Sequence, residues 1–291
     1  MIRVELPAYD LFRPERLETG LIFASPHSGR HYSDEFLAAS RLDPAVLRSS
    51  EDAFVDRLFS AAPAHGAPLL CAHHPRAWVD LNRAPTELDP ALIEDLPRGP
   101  HNPRVTSGLG VIPRVVAGGR AIYNGKIPLP AAKARIEGVW TPYHARLRSL
   151  IDEARTAFGH AILIDCHSMP HEALETAGAP GKRPQIVLGD RFGAAAAPGI
   201  VDSIESVFTA LGLRCARNTP FAGAYMAQHY GRPVRAQHVV QIEIDRALYM
   251  DERKVEPNDG FDDFKALMDR AVAHMVKIGA GRRDGGSLAA E

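Results

Sequence analysis

The chain has 291 residues, of which 45% are hydrophobic and 24% charged, so it is long enough to bury a sizeable core as one large domain. Its 34 basic and 35 acidic side chains leave a formal charge of −1, which gives no electrostatic reason to expect nucleic acid or a membrane surface as a partner. No apolar run approaches the roughly 18 residues that span a bilayer, and residues 1–20 lack the apolar segment of a secretory signal. Three distant cysteines argue against a disulfide framework and a cysteine zinc site. We therefore expect a soluble, cytoplasmic protein, whose oligomeric state the sequence does not indicate.

Short apolar runs that do not alternate with polar residues predict strands buried on both faces. They are Leu21–Ser25, Pro68–Ala72, Trp78–Leu81, Ala161–Asp165, Gln185–Gly189 and Val239–Ile244. Helical spacing of apolar residues predicts helices between them. These are a helix capped by Ser49 or Ser50, Pro130–Phe158 with a bend near Pro142, Pro198–Leu211 and Phe261–Val276. The alternation predicts an α/β fold with a mixed, mostly parallel sheet and helices on both faces.

The domain organisation is predicted to be simple. We expect a single α/β domain over residues 1–278 and a disordered tail over residues 279–291. The proline-rich segment 83–102 is predicted to be a long ordered excursion, and the segment 171–184, rich in Gly, Pro and Ala, a mobile loop.

Among the 13 histidines, two stand out because each is followed by a serine just after a predicted strand. His27 lies in SPHSG and His167 in DCHSMP, and side chains just past the carboxyl ends of strands face the crevice where α/β proteins bind ligands. Hydrogen bonds within a turn would explain either histidine alone. A matched pair, each followed by a serine, indicates convergence on one metal ion. His31 and His171 follow four residues later, but the Glu of the HExxH motif is absent, so we do not predict them as ligands.

A catalytic zinc ion usually has three protein ligands and one position open to water. The third ligand could be a carboxylate of the segment EDAFVD, which holds Glu51, Asp52 and Asp56 at a predicted helix start. Asp52 and Asp56 would share one helical face. Acids that complement the helix dipole are the alternative explanation, and it covers at least one of them.

Further polar residues at predicted strands are candidates for the chemistry. Glu243 interrupts an apolar run, and burial raises the pKa of a carboxylate toward the range that suits a general base. The alternative is a solvated strand face shared with Gln241 and Asp245. Asn82 and Arg83 offer donors suited to a carboxylate. Additional donors that could line a pocket are Arg114, Tyr225 and His229.

In chain order, these segments resemble the N-formylglutamate amidohydrolase family of the histidine-degradation pathway. The matching segments are SPHSG, EDAFVDRLF, DLNRA, GLGVIPRV, PYHARL, LIDCHSMP, GAYMAQHYG and QIEI. They run from about Leu21 to Met250, and LIDCHSMP and the SPHSG/DLNRA pair are the most specific. The resemblance implies a fold and site similar to those of zinc carboxypeptidases and aspartoacylases.

The resemblance also implies a metal site with one zinc ion or another divalent cation. His27 and His167 correspond to the two histidine ligands. The relatives carry a Glu three residues after the first histidine, where this chain has Arg30, so the carboxylate ligand cannot be transferred directly. By position and chemistry it is assigned to Asp52, with the two other acids of residues 51–56 as alternatives.

The activity implied by the resemblance is hydrolysis of N-formyl-L-glutamate, a small N-acyl amino acid, to formate and glutamate. Glu243 corresponds to the general base, and Asn82 with Arg83 to the pair that binds the substrate carboxylate. Arg114 and Arg232 are candidate partners for the substrate's two carboxylates. Tyr225 and His229 complete the candidate substrate contacts.

Three other readings of the sequence remain open. The same site could hydrolyse another N-acyl amino acid or a small peptide, or the fold could serve a metal-free binding protein. A serine hydrolase would use Ser28 or Ser168, but neither lies in a GxSxG elbow. Cys166, at an apolar strand end, is more typical of a small buried hydrophobe than of a nucleophile.

Overall fold

Buried strands alternate with helices along the residues that the computed structural model describes, which are 6–97, 99, 101–175 and 182–280. The strands are β1 (Tyr9–Phe12), β2 (Leu21–Ser25), β3 (Leu69–Ala72), β4 (Val115–Val116), β5 (Arg120–Ala121), β6 (Ala161–Met169), β7 (Ile186–Gly189), β8 (Cys215–Arg217), β9 (Gln237–Asp245), β10 (Met250–Asp251) and β11 (Glu256–Pro257). The α-helices are α1 (Asp34–Ala39), α2 (Pro44–Leu47), α3 (Val55–Leu58), α4 (Pro103–Thr106), α5 (Leu129–Arg135), α6 (Thr141–Phe158), α7 (Pro198–Ala210), α8 (Tyr225–Tyr230) and α9 (Phe261–Ile278).

Across the described ranges, seven strands form one mixed sheet in the order β1-β3-β2-β6-β9-β7-β8. The central strands β3, β2, β6 and β9 are parallel to one another. β1 is antiparallel to β3, and β7 is antiparallel to β9 while β8 is parallel to β7. The predicted mixed, mostly parallel sheet is therefore confirmed.

Both faces of this sheet are covered. Leu21 and Phe23 of β2 pack into one apolar cluster, which includes residues of α3, α7 and α9. Ile22 and Ala24, which point the opposite way, pack into a second cluster with residues of α6 and α8. Because successive side chains of a strand alternate between faces, an unbroken apolar run is what a sheet buried on both faces requires. The prediction of helices on both faces is confirmed.

The predicted strand Trp78–Leu81 was wrong. These residues form turns, in which the Trp78 N–H donates to Pro75 O at 2.9 Å and the Asn82 N–H donates to the Asp80 side chain at 2.8 Å. These turn hydrogen bonds, together with one from the Asp80 N–H to Val111 O at 2.8 Å, take the place of strand pairing here. The short outer strands β1 and β8 were not predicted.

Two helix predictions need correction. Residues 51–54 precede α3 instead of belonging to it, and Phe54 has a left-handed backbone with φ of 66°. The predicted helix Pro130–Phe158 is interrupted by a π-helical turn at Ile136–Trp140. This turn lies directly before Pro142, whose nitrogen cannot donate to the carbonyl four residues earlier. The irregularity thus precedes the proline instead of centring on it.

Residues 281–291 of the predicted tail and residues 176–181 of the predicted mobile loop lie outside the described residues. The first residues of that loop, His171–Leu174, form a 3-10 helical turn. Within the proline-rich excursion 83–102, Leu92 and Ile93 are buried in the second apolar cluster. Among the described helices, none is both long and apolar enough to cross a bilayer.

Candidate active site

His27, Asp52 and His167 meet at the carboxyl ends of the central strands. His27 follows β2, and His167 lies near the end of β6. The Nδ1 atoms of His27 and His167 lie 3.4 and 2.9 Å from the same atom, Asp52 Oδ2. One ligand atom from each residue lies within 4.8 Å of the others, and all three side chains are buried. In the described residues this is the one group of three or more such side chains able to hold a metal ion.

The donor set fits a divalent metal ion. His27 Nε2 lies 2.7 Å from Asp80 Oδ1, and His167 Nε2 lies 2.8 Å from Asp165 Oδ1. Metal-binding histidines usually donate their second N–H to a carboxylate in this way, which fixes the tautomer and turns the other nitrogen toward the metal. His27 Nδ1 is buried and has no hydrogen-bond partner, which is costly unless something binds it. Two imidazoles and one carboxylate are a ligand set typical of zinc hydrolases.

Asp52 is held in place from three sides. Its backbone N–H donates to His27 O at 3.0 Å, which ties the segment after the Ser50 turn to the SPHSG turn. Its second oxygen, Oδ1, accepts a hydrogen bond from Arg246 Nη2 at 2.9 Å. Burial alone would raise the pKa of Asp52, but the adjacent imidazoles of His167 and His27 hold this pKa well below its ordinary value. Asp52 therefore presents an ionised Oδ2 to both histidines.

The two alternative carboxylates are engaged elsewhere. Glu51 Oε1 accepts hydrogen bonds from Tyr32 at 2.7 Å and Arg48 at 3.0 Å. Asp56 pairs with Arg30 at 3.0 Å. The expectation that Asp52 and Asp56 share a helical face was wrong, because Asp52 precedes the helix and the left-handed residue 54 separates the two.

Glu243 lies beside the cluster. It is the Cα partner of His167 in the β6–β9 register, so both side chains leave the sheet on the same face. Gln241 Nε2 donates to Glu243 Oε1 at 2.8 Å and leaves Oε2 without a protein donor among the described residues. Glu243, Gln241 and Asp245 are all buried, so they do not form a solvated strand face. Burial raises the pKa of Glu243 to about 7.

Asn82 and Arg83 occupy different positions. Asn82 is buried within the cluster, where its Nδ2 donates to Asp165 Oδ2 at 3.0 Å and its Oδ1 accepts from Met226 N at 2.8 Å. Its side chain therefore links the turn after residue 78, β6 and the start of α8. Arg83 donates from Nε to Leu109 O at 3.1 Å and from Nη1 to its neighbour's carbonyl at 2.8 Å.

A cavity of about 420 Å³ opens above these residues. Its lining includes the candidate ligands, Asn82, Arg83 and Glu243, with the segment 220–224 on one side. Its arginines are Arg76, Arg83, Arg104 and Arg246. Arg76 pairs with Asp80 at 2.9 Å, and Arg246 with Asp52. The cavity is thus rich in guanidinium groups, which suits an anionic ligand.

Four other predicted donors lie outside the cavity lining. Arg114 pairs with Asp89 at 2.8 Å. Tyr225 stacks on His229, whose Nε2 lies 3.0 Å from Arg148. Arg232 donates to the carbonyls of residues 228 and 231. The structure does not bring these side chains to the residues around His167.

Several site residues had no assigned role in the sequence analysis. Asp80 and Asp165 each stand two residues before another site residue, a spacing that places side chains on one face of a strand and could have identified Asp165. Arg246 directly follows β9, and a charged residue at a strand end is a weak signal of the same kind. Arg76 and Arg104 follow no strand, and only the folded chain brings them to the cavity.

The candidate serine and cysteine nucleophiles lack an activating base. Ser28 is hydrogen-bonded with Ser25 Oγ at 2.8 Å, and Ser168 Oγ accepts from Arg246 Nε at 3.1 Å. Neither has a histidine partner among the described contacts. Burial raises the pKa of Cys166 well above its ordinary value, which disfavours the reactive thiolate.

Fold and site together define an α/β protein with a candidate metal centre at the carboxyl ends of parallel strands and a buried carboxylate beside it. The family model for N-formylglutamate amidohydrolase matches residues 19–250. The chain therefore belongs to the N-formylglutamate amidohydrolase family, which confirms the resemblance.

Individual relatives agree with this assignment. An N-formylglutamate deformylase from Pseudomonas aeruginosa is 30% identical over 240 residues, which are 80% of this chain and 83% of the relative. One from Pseudomonas putida is 30% identical over 239 residues, 80% of this chain and 82% of the relative. The crystal structure of N-formylglutamate amidohydrolase from Ralstonia eutropha JMP134 has a TM-score of 0.86 at 33% identity, over 94% of this chain and 99% of that one. A gene product of Agrobacterium tumefaciens shares the fold, with a TM-score of 0.58 at 16% identity over 91% of this chain and 95% of that one.

Proposed function

We propose that this protein is a zinc-dependent amidohydrolase that cleaves the linear formamide bond of N-formyl-L-glutamate to formate and L-glutamate. The observation that carries the proposal is the buried group of His27, Asp52 and His167 with Glu243 beside it on the neighbouring strand. Family membership supports the substrate, since the relatives are N-formylglutamate deformylases.

His27 Nδ1, His167 Nδ1 and Asp52 Oδ2 are the atoms that would hold the metal ion. When bound, zinc supplies a Lewis acid that polarises a carbonyl and lowers the pKa of water to about 7. Asp80 and Asp165 keep the imidazoles oriented through their Nε2 atoms. These contacts leave the two Nδ1 atoms aimed at a common point.

Glu243 acts as the proton carrier in this proposal. Its free Oε2 accepts a proton from the attacking water, and the same group returns the proton to the leaving nitrogen, so glutamate departs as an amine. A carboxylate whose pKa is raised by burial to about 7 suits both transfers, because neither protonation state is strongly favoured near neutral pH.

The arginines of the cavity bind the negatively charged groups of the substrate in this proposal. Arg76 lies at the cavity wall with one nitrogen on Asp80, and its remaining N–H groups can stabilise negative charge that develops on the formyl oxygen. Arg83 has an open Nη2 for the carboxylate next to the amide.

Formate release from N-formyl-L-glutamate tests the proposal, with acetate release from N-acetyl-L-glutamate as the comparison. We expect release from the formyl substrate, and we expect Glu243→Gln to lower kcat by about 10²- to 10⁴-fold because it cannot take the proton. Glu205→Gln is the matched control, since Glu205 lies on α7, pairs with Arg217 and does not line the cavity.

Three outcomes separate the readings. A preference for the acetyl substrate would assign the site to another N-acyl amino acid. Full activity of Glu243→Gln would show that Glu243 is not the proton carrier. No turnover of any acyl-amino acid by folded, zinc-loaded protein would favour the binding-protein reading.

A further inference from the structure

Two of the four cavity arginines have no carboxylate partner. Arg76 and Arg246 are neutralised by Asp80 and Asp52. In the described part of the chain, neither Arg83 nor Arg104 forms an ion pair, although both line the cavity. The cavity therefore contains two guanidinium groups that have no ion-pair partner among the described residues.

These two arginines share one wall. Arg83 Nε donates to Leu109 O at 3.1 Å, and the Leu109 N–H donates to Arg104 O at 2.8 Å, so a single residue links both. Asn102 caps α4 by accepting from the Arg104 N–H at 3.0 Å. The backbone that carries Arg104 is thus fixed beside Arg83.

The two guanidinium groups of this wall also repel each other. Burial lowers the pKa of Arg83; the charge of Asp80 raises it, the charges of Arg76 and Arg104 lower it, and the net shift is downward. Glu87 is the nearby acid, but its two oxygens accept from Ala84 N at 2.9 Å and Asn102 Nδ2 at 3.2 Å. Two like charges on one wall are favourable only when an anion lies against them.

The two guanidinium groups differ in depth and freedom. Arg83 is half-buried, is anchored by two carbonyls, and follows Asn82, whose Nδ2 lies 3.0 Å from His167 Nε2. Arg104 is exposed, and no hydrogen bond occupies its guanidinium group among the described contacts. The carboxylate on the carbon that carries the scissile amide must lie deep, near Arg83. A second carboxylate two methylene groups farther out would reach the outer arginine.

We propose that Arg104 determines specificity for the distal carboxylate of the substrate, while Arg83 binds the carboxylate beside the amide. This assignment rests on the proposed function. It adds the reason why the site would select a substrate with two carboxylates. N-formyl-L-glutamine is the informative comparison, because it matches the size of N-formyl-L-glutamate but lacks the distal charge.

The test is kcat and KM for both substrates with the wild-type protein, Arg104→Ala and Arg104→Lys. For N-formyl-L-glutamate, Arg104→Ala should lower kcat/KM by about 10- to 100-fold, mainly through KM, since a charge-assisted hydrogen bond is lost in binding. For N-formyl-L-glutamine the same variant should change kcat/KM by less than about 3-fold. Arg104→Lys should retain part of the discrimination, because it keeps the charge and loses the fork of donors.

Arg235→Ala is the matched control. Arg235 is exposed and precedes β9, at the end of the strand away from Glu243, so both substrates should keep their wild-type constants. If the wild-type protein is active and Arg104→Ala loses activity equally on both substrates, or on neither, the role of Arg104 is overturned. The proposed function then still stands. No formate from wild-type protein with either substrate overturns the proposed function and this assignment with it.

Discussion

At the scale of single residues, the site depends on how each ligand candidate is oriented by a partner. Asp80 and Asp165 hold the two imidazoles, and Arg246 holds Asp52. Arg246 Nη2 binds Asp52 Oδ1, so the other oxygen is left to face both histidines. This arrangement makes Arg246 a positioning residue for the candidate metal ligand.

Replacement of Arg246 should therefore weaken zinc binding. We expect Arg246→Ala to raise the zinc Kd by about 10- to 100-fold, as loss of an outer contact to a metal ligand typically does, and Arg246→Lys to raise it less. Competition with a chromophoric chelator measures this Kd without relying on activity.

Arg41→Ala is the control for this series, since Arg41 is exposed and does not line the cavity. Circular dichroism establishes that each variant is folded. A folded Arg246→Ala protein with the wild-type zinc Kd would contradict the positioning role.

At the scale of elements, α6 is tied to the site by a buried histidine. His144 Nε2 donates to Leu81 O at 2.9 Å, and His144 Nδ1 accepts from the Tyr230 hydroxyl at 2.9 Å. These contacts join α6 to the turn that carries Asn82 and to the end of α8. Both ring nitrogens are satisfied in the neutral form, and burial lowers the pKa of His144 to about 3.

Stability should consequently fall as the medium becomes acidic. The folded pKa of about 3 lies below the ordinary value of 6.5, so the unfolded chain binds the proton first as pH decreases. At about pH 5 this group alone should lower the free energy of unfolding by about 2 kcal/mol relative to neutral pH.

Urea unfolding of zinc-free protein at about pH 7.5 and about pH 5 measures this effect. The variant His144→Gln removes the titrating group, so it should be less stable at the higher pH and lose less stability on acidification than the wild type. An equal loss of stability in both proteins would show that protonation of His144 does not cause the loss at low pH.

The elements also show which parts of the fold could be predicted from the sequence. Strands that are buried on both faces have a strong apolar signal, so β2, β3, β6, β7 and β9 were predictable. β1 and β8 were not, because three or four half-exposed residues at a sheet edge carry little periodicity. The segment 78–81 has strand-like composition, but it folds as turns and no neighbouring strand pairs with it among the described residues.

At the scale of the whole molecule, the site forms where the central parallel strands end. The positions of His27 and His167 directly after predicted strands were enough to expect them together, because carboxyl ends of parallel strands meet at one edge of a sheet. Their partners were harder to predict, since the contact of His27 with Asp80 depends on the path of a turn. The contribution of Arg104 depends on the fold of the excursion 83–102 and of the short helix α4 that follows it, for which no periodic signal exists.

The central claim is that this fold assembles a zinc centre that releases formate from N-formyl-L-glutamate. The most direct measurement is formate release before chelation, after chelation and after zinc is restored, with bound metal quantified at each stage. The account predicts that release disappears with the chelator and returns in proportion to zinc bound, to about one ion per chain. Undiminished release from protein shown to be metal-free would contradict it.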